Sequence, residues 1–170
     1  MNKLALLVVP ALVLQIIATT QFDSDLVGLK RAFLIVSYAL LLCGVLGIRG
    51  RVVRVLAFIG VLMNALPIAA NGGLMPTTQD AVEEAIGERP ELRSSPRFTK
   101  GIVLPRDEIH LYPLSDHLVI GPLNHNVFSP GDIVLALAAF AFLGGGLVGA
   151  IHDLTRRTDG GPAPPTTLAL

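Results

Sequence analysis

Charged side chains are missing from four stretches of this chain, residues 4–20, 32–48, 55–70 and 133–151. Among their apolar side chains stand only Gln15, Asn64 and a few hydroxyl, thiol or glycine positions. Each stretch is 16–19 residues long, close to the ~20 residues that cross a ~30 Å hydrocarbon layer as a helix. A helix on the core of a soluble protein keeps a polar face at helical period. The last stretch, IVLALAAFAFLGGGLVGAI, keeps none; its Leu, Ile, Val and Phe residues each favour insertion by about 0.3 to 0.6 kcal/mol. The pattern predicts an all-α integral membrane protein with four transmembrane helices and a mixed extracytoplasmic segment between helices 3 and 4.

The expected organisation follows from these blocks. Residues 1–70 hold helices 1–3 (about 4–20, 32–48 and 55–70), residues 71–131 form the extracytoplasmic segment, 132–152 the fourth helix and 153–170 a disordered cytoplasmic tail rich in Gly, Pro and Thr. Pro10 and Pro67 predict bends. Lys3 ahead of an apolar run also fits a cleaved leader; no Ala-x-Ala site follows the run, which favours a retained first span.

Within the external segment, the stretch ANGGLMPTT (Ala70–Thr78) stops the third helix. Asn71 is suited to the last helical or capping position, Gly72 to the left-handed residue that closes a helix, and Pro76 prevents resumption. Thr77 and Asp80 have the spacing of an N-cap and its third helical residue, predicting a short helix stopped by Gly87 and Pro90. Leu92–Gly101, LRSSPRFTKG, has no periodicity and is expected as a mobile linker. Beyond it, brief apolar pieces such as Ile102–Leu104 and Leu118–Ile120 alternate with Pro, Asp and Gly, fitting short strands or chain lying on the membrane surface.

Composition agrees with the pattern: 52% hydrophobic, 15% charged and a mean hydropathy of +0.64 exceed what a soluble domain carries. Net charge is zero, and no basic domain offers itself to nucleic acid. Lys3, Arg49, Arg51, Arg54, Arg156 and Arg157 fall on one side of a four-span topology, against Lys30 and Arg31 beside Asp23 and Asp25 on the other. Basic residues in short loops stay in the cytoplasm, which puts both termini there. Cys43 is the single cysteine, so no intramolecular disulfide forms, and it is expected as a small buried apolar side chain.

Candidate chemistry is sparse. Ser129-Pro130-Gly131-Asp132 has the form of a capping box with Pro at the first helical position, while a carboxylate at a membrane boundary also suits cation or proton handling. Asn64 needs a partner in hydrocarbon, and Asn71, seven residues on, would share its helix face. Histidines 110, 117 and 125 are spaced by seven and eight, unlike a tight ligand pair, so no metal is expected. Ala141, Gly145 and Gly149 form a small-residue stripe for close helix packing or for another membrane protein. There is no nucleophile with a base and no phosphate loop, so neither an enzyme nor a cofactor is expected.

Asn71-Gly72-Gly73-Leu74-Met75-Pro76, Leu114-Ser115-Asp116 and Phe128-Ser129-Pro130-Gly131-Asp132 together resemble the pattern of an uncharacterised bacterial family of multi-pass membrane proteins, domain of unknown function 5317. The resemblance is best over roughly residues 55–151; the pattern's external aspartate usually follows a glycine, where Ser115 stands here. It implies a bacterial inner membrane and the same architecture, and no activity. Two function classes follow. The first, favoured by the residues, is a non-enzymatic accessory or scaffold subunit of a membrane complex. The alternative is small-molecule or ion binding or transport at a polar site of Asn64, Asn71, Asp116 and Asp132 on the outer face of the bundle.

Overall fold

The computed structural model describes residues 3–22, 26–95, 99–120 and 126–158, with side chains of the last helix as far as Gly144. A 3₁₀ turn, Lys3–Leu7, leads into α1 (Val8–Thr20), and α2 (Val27–Val45) and α3 (Arg51–Ala70) follow. All three, the first counted from Lys3, are long and apolar enough to cross a membrane. The final helix, α5 (Pro130–Thr158), opens with a shorter apolar stretch, Pro130–Gly144. Helices 2 and 3 begin before their charge-free blocks, and α5 runs on through residues assigned above to the tail. Hydropathy marks only the part of a helix suited to hydrocarbon; backbone hydrogen bonding continues into charged flanks. The remainder of the expected tail lies outside the described residues. Pro10 follows directly on the change from 3₁₀ to α geometry, and Pro67 sits inside α3.

Buried positions run down α2 as Lys30, Leu34, Ser37, Tyr38, Leu41, Gly44 and Val45, and down α3 as Ala57, Gly60, Val61, Asn64, Pro67 and Ile68. That three-and-four spacing is one helix face. α1 packs on α2, α2 on α3, and α3 on α5. The opposite faces remain apolar yet exposed, from Val9 and Ile16 through Val52 to Phe140, which is 71% exposed. Apolar surface on this scale is foreign to a monomer in water. Cys43, expected to be buried, lies on this outward face of α2: the packed stripe of that helix passes through Leu41, Gly44 and Val45 and leaves position 43 outside it.

The closest approach of α3 and α5 depends on two glycines. A Cβ at Gly60 would stand 2.8 Å from Leu135 Cγ and 3.1 Å from the Gly131 carbonyl oxygen; one at Gly131 would stand 2.9 Å from Asn64 Oδ1 and 3.0 Å from the Gly60 oxygen. Small residues let helix backbones meet this closely. Of the stripe named from sequence, Ala141 is half-buried, and the surroundings of Gly145 and Gly149 lie outside the described side chains.

Between α3 and α5 the chain folds into a cap over one end of the helices. Asn71 closes α3, and the Gly73 amide returns to the Ile68 carbonyl at 2.7 Å with Gly72 left-handed at φ 72°, a Schellman closure. Gly73 follows at φ 92°, where a side chain is strained, and a built Cβ would crowd Arg31 Cβ and Ile35 Cδ1, both at 3.1 Å. The chain then enters β1 (Met75–Thr77), which pairs in parallel with β2 (Gly101–Val103) and bridges Asp116 from Thr77. The short helix α4 (Gln79–Ile86) is capped by Thr78, whose side chain accepts the Ala81 amide, and stops at left-handed Gly87. Thr77, expected as the cap, is held one residue earlier by β1 because the Leu104 amide takes its carbonyl at 2.9 Å. β3 (Leu118–Val119) and β4 (Val127–Phe128) form an antiparallel pair against α4.

The expected mobile linker is tied down where it is described. Arg93 and Ser94 exchange backbone bonds with Val103. Ser95 is buried, accepts from Lys30 Nζ at 2.9 Å and donates to the Gly101 carbonyl at 2.8 Å. Its fixing is tertiary, through β2 and α2, which is why no local periodicity announced it.

Candidate functional site

The first turn of α5 is a capping box. The Asp132 amide donates to Ser129 Oγ at 3.1 Å and the Ser129 amide donates to Asp132 Oδ2 at 3.0 Å. Asn64 on α3 closes this box into a ring: Ser129 Oγ donates to Asn64 Oδ1 at 2.6 Å, and Asn64 Nδ2 donates to Asp132 Oδ1 at 2.8 Å. Asn64 and Ser129 are fully buried, and the ring answers the rule that buried polar groups be paired. It can form because Gly60 and Gly131 bring the two backbones together one turn away.

Lys100, immediately before β2, completes the site. Its Nζ lies 3.0 Å from Asp132 Oδ1, 3.2 Å from Oδ2 and 3.8 Å from Asp116 Oδ1. The Met75 amide takes the Lys100 carbonyl at 3.0 Å, and the Asp116 amide takes the Pro76 carbonyl at 3.1 Å, so β1 fixes both residues from its two sides. Burial works against the ammonium, but the charges around it, Asp116 foremost, outweigh burial and hold Lys100 above its ordinary value. Burial raises the Asp116 carboxyl from 3.8 to about 7, against the pull of Lys100 and with the repulsion of Asp132 added. One ammonium thus faces two carboxylates.

Beside this cluster lies a cavity of about 520 Å³, lined by Gln15 and Thr19 of α1, Leu34 of α2, Val82 and Ile86 of α4, and Thr77, Lys100, Asp116 and Val127 among others. Two atoms of its lining residues, Thr77 Oγ1 and Asp116 Oδ1, are buried without a hydrogen-bond partner, and both residues are 7% exposed. Such atoms are costly to leave unpaired.

Of the site residues expected from sequence, Asn64 and Asp132 are in direct contact, and Lys100 joins Asp116 to them. Asn71 is elsewhere. Its amide clasps the cap, donating to the His110 carbonyl at 2.8 Å and to Pro67 at 2.7 Å and accepting the His110 amide at 3.0 Å. His117 stacks on Tyr112 with ring centroids 4.9 Å apart, and Arg106 lies over the same ring. His125 lies outside the described residues. Lys100 and Thr77 escaped the sequence reading; the one available signal was that two acids near a membrane boundary need a cation, without saying which.

No curated protein and no solved structure matches the chain. A family model does match, over residues 2–144, a span wider than the resemblance read from the motifs and one that takes in the whole Asn64–Lys100–Asp116–Asp132 network. The chain belongs to that family, the Family of unknown function (DUF5317).

Proposed function

We propose that this is a multi-pass bacterial inner-membrane protein with four spans and cytoplasmic termini, which binds a small molecule or ion in the polar site beneath its cap. The outward apolar surface supports the membrane reading. For the fourth span, α5 packs on α3, exposes Leu137, Phe140, Phe142 and Leu143, and is free of charge from Ile133 to Ile151. At about 1.5 Å per residue that stretch approaches the ~30 Å of a hydrocarbon core. The distribution of Lys and Arg supports the orientation, with the cap on the outer face.

The observation that carries the binding reading is a half-buried lysine between two carboxylates beside a cavity lined by Thr77 and Asp116, whose Oγ1 and Oδ1 have no hydrogen-bond partner. Perturbed charges gathered at a cavity are the mark of a working site. The accessory-subunit reading rests on the Ala141, Gly145 and Gly149 stripe, whose last two members have no described surroundings.

The test is native mass spectrometry of the protein released from its own membrane in mild detergent. A small molecule retained in stoichiometric amount by wild type and lost when Thr77→Leu fills the cavity is the expected result. A wild-type spectrum holding only the bare chain or a protein partner overturns the proposal.

A further inference from the structure

Resting on the binding reading above, we infer that the cavity takes an amphiphile carrying a protonated amine, its ammonium on Asp116 and Thr77 and its apolar part against Leu34, Val82, Ile86 and Val127. Four observations lead there. First, the donors of the site are already committed: the Lys100 ammonium contacts both oxygens of Asp132, and Asn64 Nδ2 donates to that same carboxylate. What remains is an acceptor, Asp116 Oδ1, and a hydroxyl, Thr77 Oγ1, neither with a hydrogen-bond partner. A bound group that donates hydrogen bonds satisfies both. Second, Lys100 is held by Asp132 and stands 3.8 Å from Asp116 without a hydrogen bond to it, so an ionised Asp116 has room for a further cationic donor. An anion brought there would meet Asp116 and Asp132, and Lys100, the one cation among the described lining residues, is already held by Asp132.

Third, Thr77 and Asp116 are bridge partners on adjacent segments of the chain, and both line the cavity. A single nitrogen with several N–H groups reaches both. Fourth, about 520 Å³ is far more than a bare ion needs, and much of the lining, from Leu34 through Val82 and Ile86 to Val127, is apolar, with Ile86 exposed at 46%. A bare cation would leave those apolar side chains uncovered; an amphiphile covers them. Two sources share this chemistry, a lipid with a primary amine in its headgroup and a free alkylamine.

The test uses the full chain in nanodiscs of phosphatidylcholine, whose headgroup nitrogen has no N–H to donate. Octylamine, octanol and octanoate share one apolar chain and differ in the head, and each is scored by thermal stabilisation followed by circular dichroism. Octylamine alone should stabilise wild type. Asp116→Asn or, independently, Thr77→Val should weaken its apparent Kd by roughly tenfold or more, as for a lost charge-assisted bond; Glu84→Gln on the exposed face of α4 should not. In discs containing phosphatidylethanolamine, a reduced octylamine response identifies a lipid headgroup as occupant, and an unchanged response identifies the free amine. Equal stabilisation by octanol, or a response to octanoate instead, overturns the amine inference while the binding site stands. No response to any of the three, together with no retained molecule in the native spectrum, removes both.

Discussion

Lys100→Met is the sharpest perturbation of the site, because it removes the only cation that contacts Asp132 and Asp116 among the described residues. Asp132 keeps Asn64 Nδ2 and the Ser129 amide, so the capping box survives, but its charge and that of Asp116 are left facing each other. Breaking a buried ion pair from one side costs about 3–5 kcal/mol. Here the Lys100 and Asp132 side chains keep 22% and 26% of their exposure, and Asp116 can relieve the repulsion by holding a proton. A loss of roughly 2–3 kcal/mol is therefore expected, lowering the apparent Tm by about 5–10 °C in a chain of this size. Asp132→Asn should cost less, about 1–2 kcal/mol, since Lys100 retains Asp116 and an amide can still accept at the cap. If the two residues act on each other, the double variant falls short of the summed losses by at least about 1 kcal/mol. The assay is far-UV circular dichroism of purified protein in one detergent at one scan rate, because membrane proteins commonly unfold irreversibly. A Lys100→Met protein melting within about 1 °C of wild type, or strict additivity in the cycle, would refute the reasoning.

Gly131→Ala, with a Cβ 2.9 Å from Asn64 Oδ1 and 3.0 Å from the Gly60 carbonyl, should destabilise by about 1–3 kcal/mol, whereas Gly144→Ala, with nothing within 4 Å, should be neutral in the same melts. Asn71→Ala removes both bonds to the His110 backbone and should speed limited proteolysis around residues 105–111 while leaving the helical dichroism intact; unchanged cleavage would count against the clasp. Asp116, facing Lys100 and Asp132, prefers its proton in the folded state, so its stabilising contribution is present in full below its ordinary 3.8 and is lost as pH rises through about 7. At ~1.4 kcal/mol per tenfold change in proton affinity this amounts to the order of 4 kcal/mol at most. Wild type should therefore melt higher at pH 5.5 than at pH 8.5, and Asp116→Asn should flatten that difference; an identical slope in the variant would exclude the assignment.

What the sequence disclosed about this molecule is what its local chemistry determines. The apolar blocks gave the helices, and the capping box at Ser129 and Asp132 formed as its spacing requires, because both depend on residues within one or two turns. At the end of α3, Gly72 could be read for its left-handed φ, but Gly73 is also crowded by Arg31 and Ile35 on another helix, and nothing local signals that. Capping-box spacing to Asp80 favours Thr77 as the cap in sequence, and the pairing of β1 moves the cap to Thr78. The shared face assigned to Asn64 and Asn71 fails for a geometric reason: it requires helical backbone at both, and Asn71 has φ −111° and ψ 35°. Lys100 was invisible because it is separated by 16 residues from Asp116 and by 32 from Asp132, and only the parallel pairing of β1 with β2 brings it to them.

Asp132 shows why two readings that compete in a sequence need not compete in a structure. Oδ2 returns to the Ser129 amide and completes the cap; Oδ1 takes Asn64; Lys100 touches both oxygens. The cap fixes the carboxylate at the mouth of α5, and Asn64 fixes that mouth against α3, so the group that anchors the lysine is held by contacts that do not involve Lys100 or Asp116. Orientation that costs nothing at the moment of binding is what a site needs. Lys100 and Asp116 bring to that anchor the charge that a ligand would meet, and both are supplied by the segment between α3 and α5. A rearrangement of that segment would therefore dismantle the site while leaving the Asn64–Ser129–Asp132 ring intact, which ties occupancy of the cavity to the position of the cap rather than to the packing of the helices.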